Sequence, residues 1–449
     1  MRLKRLPPTV TAPVDDEPLP PYRFRLRHQM AVAFAVLALA LGVRAWWGWY
    51  AQRRLDAAIA ELRAKGEPVT EADFADPAVP DEQNAAFFIR RAASAFTQSE
   101  RQREDERHEK FYVNPLSLEA LASIGGLLHD NRQALADIRK SRGTRLVRWD
   151  PPPLTADEEQ RLDFARAIAR EHRLRDLLGY GVMHAIGTGN DAEAVERLRD
   201  MLFLADRCGR RGFITAHLLS IGIAARAAAE AQAIAAELRV GESRGAAKRG
   251  QVQALILELL DSNGARQNLL DSLRRERVLS VGYAHVHPVA HRYGRYDENG
   301  KLVFHSSPEW LNVPASFVAR PYALLHAERS IRYHTTLHDL LQAVDEKFLP
   351  PSPRRKPNPQ TGLFGVEWVC KCFEPGGLDR VAGVHQTAMS ERAGAAVALA
   401  GRLFELHRGP RPASTAELIP TYIPAGSLYL PALGMTNPAT GPSTRPAAG

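Results

Sequence analysis

Residues 30–43 read Met-Ala-Val-Ala-Phe-Ala-Val-Leu-Ala-Leu-Ala-Leu-Gly-Val, with no charged group among them. A helix of that run alone would be about 21 Å long, short of a bilayer core of about 30 Å. Arg44 interrupts it, and Ala45-Trp46-Trp47-Gly48-Trp49-Tyr50 follows. Carried through to Tyr50 the segment is long enough to span. Arg44 can then snorkel toward the headgroups, and the Trp and Tyr residues form the aromatic belt expected at one interface. A cleaved signal peptide is the competing reading. The late position of the apolar run, the bulky aromatics behind it and the lack of a small-residue cleavage site argue against it. The expectation is an uncleaved transmembrane anchor over 29–51, with the bilayer as the first partner.

Charge around the anchor does not orient it. Arg23, Arg25 and Arg27 lie on one side, with Arg2, Lys4 and Arg5 beyond; Arg53, Arg54, Arg63 and Lys65 lie on the other. A short tail ahead of a lone anchor favours a cytoplasmic N-terminus, with residues 52–449 outside. Residues 1–28 hold Pro7, Pro8, Pro13, Pro18, Pro20 and Pro21, so a disordered cytoplasmic tail is expected there.

Beyond the anchor the pattern is helical. Leu55 to Leu62 continues as a helix until Gly66 and Pro68 end it, and another helix is predicted after Pro80-Asp81-Glu82-Gln83-Asn84-Ala85-Ala86. Residues 52–114 thus form juxtamembrane helices and a charged linker, Ser99 to Lys110 being a solvated mixed-charge run. The strongest periodicity lies in 115–280. Asn190 and Glu193 fit a capping box, Val195, Leu198, Met201, Leu202 and Ala205 share a face, and Gly209 fits the stop. Ile214, Leu218, Ile221, Ala225 and Ala228 mark the next helix. Val252, Leu255, Ile256 and Leu259 mark a third; Leu269, Leu270 and Leu273 mark a fourth. Short turns between them predict antiparallel hairpins, and the Ala-rich stretch 224–236 predicts close helix approach.

Between 281 and 318 the pattern changes. Asn299-Gly300, between Tyr296 and Leu302-Val303-Phe304, signals a β-hairpin insertion. Helix returns in the C-terminal part, 319–431, over 320–347 and 386–407. Ser414 and Glu417 fit a second capping box, and 432–449 reads as a disordered tail. The predicted fold class is mainly α: an N-terminal transmembrane helix, then antiparallel helical hairpins in a bundle or α-solenoid-like array, with one small β-hairpin.

Several short features together resemble a family of uncharacterised bacterial single-pass membrane-anchored helical proteins. They are the anchor, Pro80 to Ala86, the hairpin from Gly189-Asn190-Asp191 through Ala224, Glu276-Arg277, and Leu418-Ile419-Pro420-Thr421-Tyr422. The family's last segment usually continues into an Asp-Pro-Phe stretch with a closing Tyr-Arg; Gly426-Ser427-Leu428-Tyr429-Leu430 stands here instead. The resemblance implies the anchor, the helical fold and an extracytoplasmic domain. It implies no activity.

Chemistry is sparse. The best metal candidate is His285-Val286-His287 with His291 nearby. On a strand, i and i+2 share a face, so His285 and His287 could converge on one divalent ion, with His291 or His305 as a third ligand. No other cofactor is suggested. His334 and His338 share a helical face, but Thr335 stands where the zinc-protease pattern needs Glu. Cys208, Cys370 and Cys372 are too few for a disulfide scaffold. Free thiols are the first expectation, with a Cys208 bridge or a joint metal site as alternatives. Gly187-Thr188-Gly189 reads as a helix–helix turn rather than a dinucleotide loop, and no phosphate loop or nucleophile elbow occurs. The formal net charge of +8 fits solvated Arg-rich helix faces, or an anionic lipid or envelope polymer as partner. No basic run interleaves with aromatics, so nucleic acid is not expected. The reading is a membrane-anchored interaction or scaffold protein of the bacterial cell envelope with a protein partner, leaning away from an enzyme. A metal-binding protein or metal-dependent enzyme is the alternative.

Overall fold

The computed structural model describes residues 22–74, 77–99, 117–150, 158–286, 294–296, 302–304, 320–321, 323–325, 327–336, 338–339 and 377–425. These fall into two units. One comprises 1–56 with 289–325; the other comprises 57–288 with 326–449.

Helix α1 runs Tyr22–Ala64, so it begins at Tyr22 rather than 29. Residues 22–28 belong to a helix and not to a disordered tail, because nothing between Tyr22 and the apolar run breaks helical hydrogen bonding. Its segment from Leu26 is the one helix among the described residues long and apolar enough to cross a membrane. Met30, Phe34, Leu39 and Trp46 are each more than 60% exposed. Below them Trp46 stacks on Tyr50 at 5.7 Å, and Arg53 lies over Trp49 at 5.3 Å. The helix stops as its sequence predicts: the Gly66 amide donates to Arg63 O and the Glu67 amide to Leu62 O. That pairing is a Schellman closure, with Gly66 at φ +72°.

The other unit is a layered helical domain. Its helices are α2 (Ala85–Ala95), α3 (Leu118–Asp130), α4 (Arg132–Arg142), α5 (Glu158–Gly187) and α6 (Asp191–Gly209), then α7 (Ile214–Ile234), α8 (Arg249–Leu260), α9 (Asn263–Val286) and α10 (Gly377–Arg408). Residues 327–336 are helical as well. Helix α5 turns into α6 across 188–190, and α6 into α7 across 210–213, so each pair doubles back and packs together. Helix α2 packs on α4 and α5.

Helix α7 is the centre. Leu219, Ile223 and Ala227 enter the main core. Ile214, Leu218 and Ile221 enter a second cluster with Leu273 of α9 and Val381 of α10. The expected single apolar face is therefore only half of what α7 buries. The alanines at 224, 227, 228 and 231 are all buried, and their small side chains admit α10 closely along α7.

Two capping predictions are partly corrected. Asn190 Oδ1 does accept from the Glu193 amide at 3.3 Å. The Glu193 carboxylate, however, goes to Arg139 and Arg197 rather than back to Asn190. Ser414 makes no side-chain cap, and Glu417 instead accepts from the Ala413 amide at 3.0 Å. Guanidiniums within reach and a neighbouring amide compete for carboxylates that sequence spacing assigns to caps.

The β-hairpin insertion over 281–318 is not supported as a structural unit. Helix α9 continues through Val286, because no helix-breaking residue stands before Pro288. In the first unit Gly294–Tyr296 pairs antiparallel with Leu302–Phe304, Arg295 opposite Val303. A ribbon of three residues per strand is not independently stable. Asn299-Gly300, the linker at 100–116 and the tail at 432–449 lie outside the described residues.

Candidate functional site: a cationic cleft between four helices

Four helical stripes face one another around a cavity of about 550 Å³. Helix α3 contributes Gly125, Leu128 and His129; α4 contributes Arg132, Leu135, Ala136 and Arg139; α5 contributes Gly181, His184 and Ala185, with Thr188 from the turn after it. Asn190, Glu193 and Arg197 come from the start of α6. Each set is spaced three or four residues apart, so each is one face of its helix. The volume lies within the range typical of ligand pockets.

The local sequence explains how these faces are held. Ser117 caps α3, accepting from the Ala120 amide at 3.1 Å. Asn131 sits between α3 and α4 and donates to Leu127 O and Thr97 O, both at 2.8 Å. At Gly181 the absence of a side chain lets Arg197 lie along α5, its Cδ 3.4 Å from where a Cβ would stand.

Cations predominate in the lining: Arg132, Arg139 and Arg197 against the single carboxylate of Glu193. Glu193 is shared, 2.8 Å from Arg197 Nε and 3.3 Å from Arg139 Nη2. Behind it the buried Asp200 accepts from Arg139 Nε at 2.7 Å and pairs with Arg142 at 2.9 Å. Burial pulls the Arg197 guanidinium's pKa down and Glu193 only partly restores it, with Arg139 opposing. Burial also lowers His184, which keeps it neutral near pH 7. Arg132 is exposed, and among the described residues its polar contact is His129 Nε2 at 3.3 Å. The arrangement is an apolar-walled cleft with surplus guanidinium donors. Guanidinium forks of this kind suit the recognition of an anionic group.

The metal candidates fare differently. His285 lies near the end of helix α9 rather than on a strand. His287, His291 and His305 lie outside the described residues. His334 and His338 do lie on one helix, both buried. His334 Nδ1 meets Ser330 Oγ at 3.1 Å and His338 Nδ1 meets Asp339 Oδ1 at 3.3 Å. No cluster of three metal-ligating side chains occurs among the described residues. Cys208 is a buried free thiol, pushed far up by burial, which makes it inert; Cys370 and Cys372 lie outside the described residues. Gly187-Thr188-Gly189 is the α5–α6 turn, with Gly189 at φ +71°.

The arginine stripe of α4 and the Glu193–Arg197 pair drew no notice in sequence, although their helical spacing is visible there. What the spacing lacked was the knowledge that the two faces oppose one another. No protein-family model, no characterised protein and no solved structure matches the chain.

Proposed function

We propose that the chain is a membrane-tethered interaction protein of the bacterial cell envelope. In this reading α1 anchors it in the bilayer, and its helical domain engages a protein partner at the α3–α6 cleft, outside the cytoplasm. The observation that carries the reading is the apolar surface of α1, exposed all around the helix. Phe34 is 73% exposed and Leu39 69%, a cost in water at roughly 25 cal/mol per Å² that lipid removes. The aromatic and arginine residues from Trp46 to Arg54 suit the edge of a bilayer.

Two measurements test it. The full chain should resist extraction from membranes by alkaline carbonate and lose that resistance when residues 30–43 are deleted. Release of the intact chain by carbonate would remove the anchor. A photo-crosslinker placed in living cells at Ala136, on the cleft, should capture a defined protein that the same probe at Leu406 does not. Equal capture at both positions would remove the cleft as the binding face. A C-terminal reporter active only outside the cytoplasm should work; activity only from an inside reporter reverses the orientation.

A further inference from the structure

We infer that the α3–α6 cleft recognises a carboxylate, presented by an acidic segment of the partner protein and held by Arg132 and Arg197. The inference rests on the reading of the cleft as the partner-binding face and adds the chemistry of what enters it.

Three observations carry it. The first is unspent donors. Arg197 spends Nε on Glu193 at 2.8 Å, and among the described residues no ion pair engages its terminal amino groups. Among the described residues Arg132 meets the ring nitrogen of His129 and no carboxylate. A guanidinium fork of this kind matches the two oxygens of a carboxylate.

The second is the state of the nearby helix start. Asn190 opens α6 on the cleft, and a free helix N-terminus would favour phosphate. Here three successive amides are already used: Ala192 N donates to Gly245 O at 3.1 Å, Ala194 N to Asn190 O at 3.1 Å, and Glu193 N to Asn190 Oδ1 at 3.3 Å. No backbone cradle is left for a tetrahedral anion, and the side-chain forks remain.

The third is the wall. Leu128 and Leu135 flank the arginines, which gives the aliphatic part of an acidic side chain an apolar surface while its head meets the guanidiniums.

The test uses the full-length chain in neutral detergent micelles and a fluorescein-labelled hexapeptide of alternating Glu and Ala, read by anisotropy. An alternating Lys and Ala peptide is the charge control; glutarate and inorganic phosphate are competitors. The acidic peptide should bind saturably, weaken with added salt and compete with glutarate at lower concentration than with phosphate. Arg132→Ala should weaken it about tenfold, the loss of one charge-assisted hydrogen bond, and Arg132→Glu more. Arg132 is exposed and makes no ion pair among the described residues, so both variants should keep the parent melting temperature. Arg411→Ala, at a side chain 79% exposed on another part of the domain, should leave binding unchanged.

Binding insensitive to Arg132→Glu, or weakened equally by Arg411→Ala, overturns the inference, as does phosphate competing better than glutarate. Glutarate binding with the same Arg132 dependence but no peptide binding keeps the carboxylate site and overturns its protein source. A partner crosslinked at Ala136 that is indifferent to Arg132→Glu overturns the carboxylate while leaving the interaction reading intact.

Discussion

Single residues in the short motifs turn out to hold the domain together. Asn84 is 3% exposed; its Oδ1 accepts from the Ala86 amide at 3.1 Å and the Arg148 amide at 2.9 Å, and its Nδ2 donates to Arg148 O at 3.1 Å. It caps α2 and ties the 146–148 segment to it. Asn84→Ala should cost about 1–3 kcal/mol, read by thermal melting of the full chain in detergent. A melting point unchanged within a degree would mean that water replaces these bonds. Glu276 is buried and accepts from the Ile214 amide at 3.2 Å, so it caps α7 from α9. Arg277, beside it, donates to Glu67 Oε2 at 2.6 Å and Thr335 Oγ1 at 3.2 Å. The pair reads in sequence as two charges ending a helix; in the fold one closes another helix and the other anchors the juxtamembrane turn.

Glu276 also gives the stability a pH signature. Burial pushes its carboxyl from 4.5 to about 7, against the Ile214 amide, which favours the ionised form. A folded pKa above the unfolded one means stability fully present below about 4.5 and lost as pH rises through about 7. Glu276→Gln keeps an acceptor for Ile214 and removes the charge. It should melt higher than the parent at pH 8 and match it near pH 5. His217 and His385, ring centroids 5.3 Å apart, act in the opposite sense. Burial lowers both, His385 to about 4, so their contribution is intact above 6.5 and declines as pH falls toward 4. His385→Leu should flatten the loss of stability over that window; an unchanged acid limb would assign it to other groups.

At the scale of elements, helix identity follows from local pattern, whereas the connections between helices depend on closer contacts. The 239–247 turn shows this. Gly245 sits at φ +81°, and a methyl there would strike the Gly189 carbonyl oxygen. Its own carbonyl accepts from Ala192 N at 3.1 Å, and Arg239 reaches the Gly189 carbonyl and Asp191. The α5–α6 turn is thus clamped by the segment after α7. Gly245→Ala should destabilise by about 2–3 kcal/mol through positive-φ strain and the clash, with hydrogen exchange rising first in 186–194. Uniform protection there would mean that the clamp is not needed. The cleft lies beside this turn, and its four stripes were each readable as helical faces. Only their mutual opposition makes them a site.

The whole molecule is closed by α10, more than a hundred residues beyond α7 in sequence. Its Arg392, 7% exposed, donates to Leu259 O at 3.0 Å, Glu258 O at 2.6 Å and Asp261 O at 2.7 Å, the carbonyls that end α8. Arg402 does the same for Leu238 O after α7 at 3.1 Å. Cations at helix C-termini complement both the free carbonyls and the helix dipole. Arg392→Met keeps most of the packing and removes the donors. It should cost about 3 kcal/mol, and proteolysis should then cut near 409–413 before the α5–α7 core opens. Simultaneous loss of both regions would make α10 part of one cooperative unit. From sequence alone came the apolar span at 30–43, the helices of 115–280, the end of α1 at Gly66 and the Asn190 cap. Each depends on residues within a few positions, where spacing and backbone preference decide. The tertiary structure alone decided that α7 buries two faces, that α9 runs on to Val286, and that Arg132 and Arg197 face one cleft. Those depend on partners far apart in the chain, and no local periodicity encodes which distant surface will cover a given helix face.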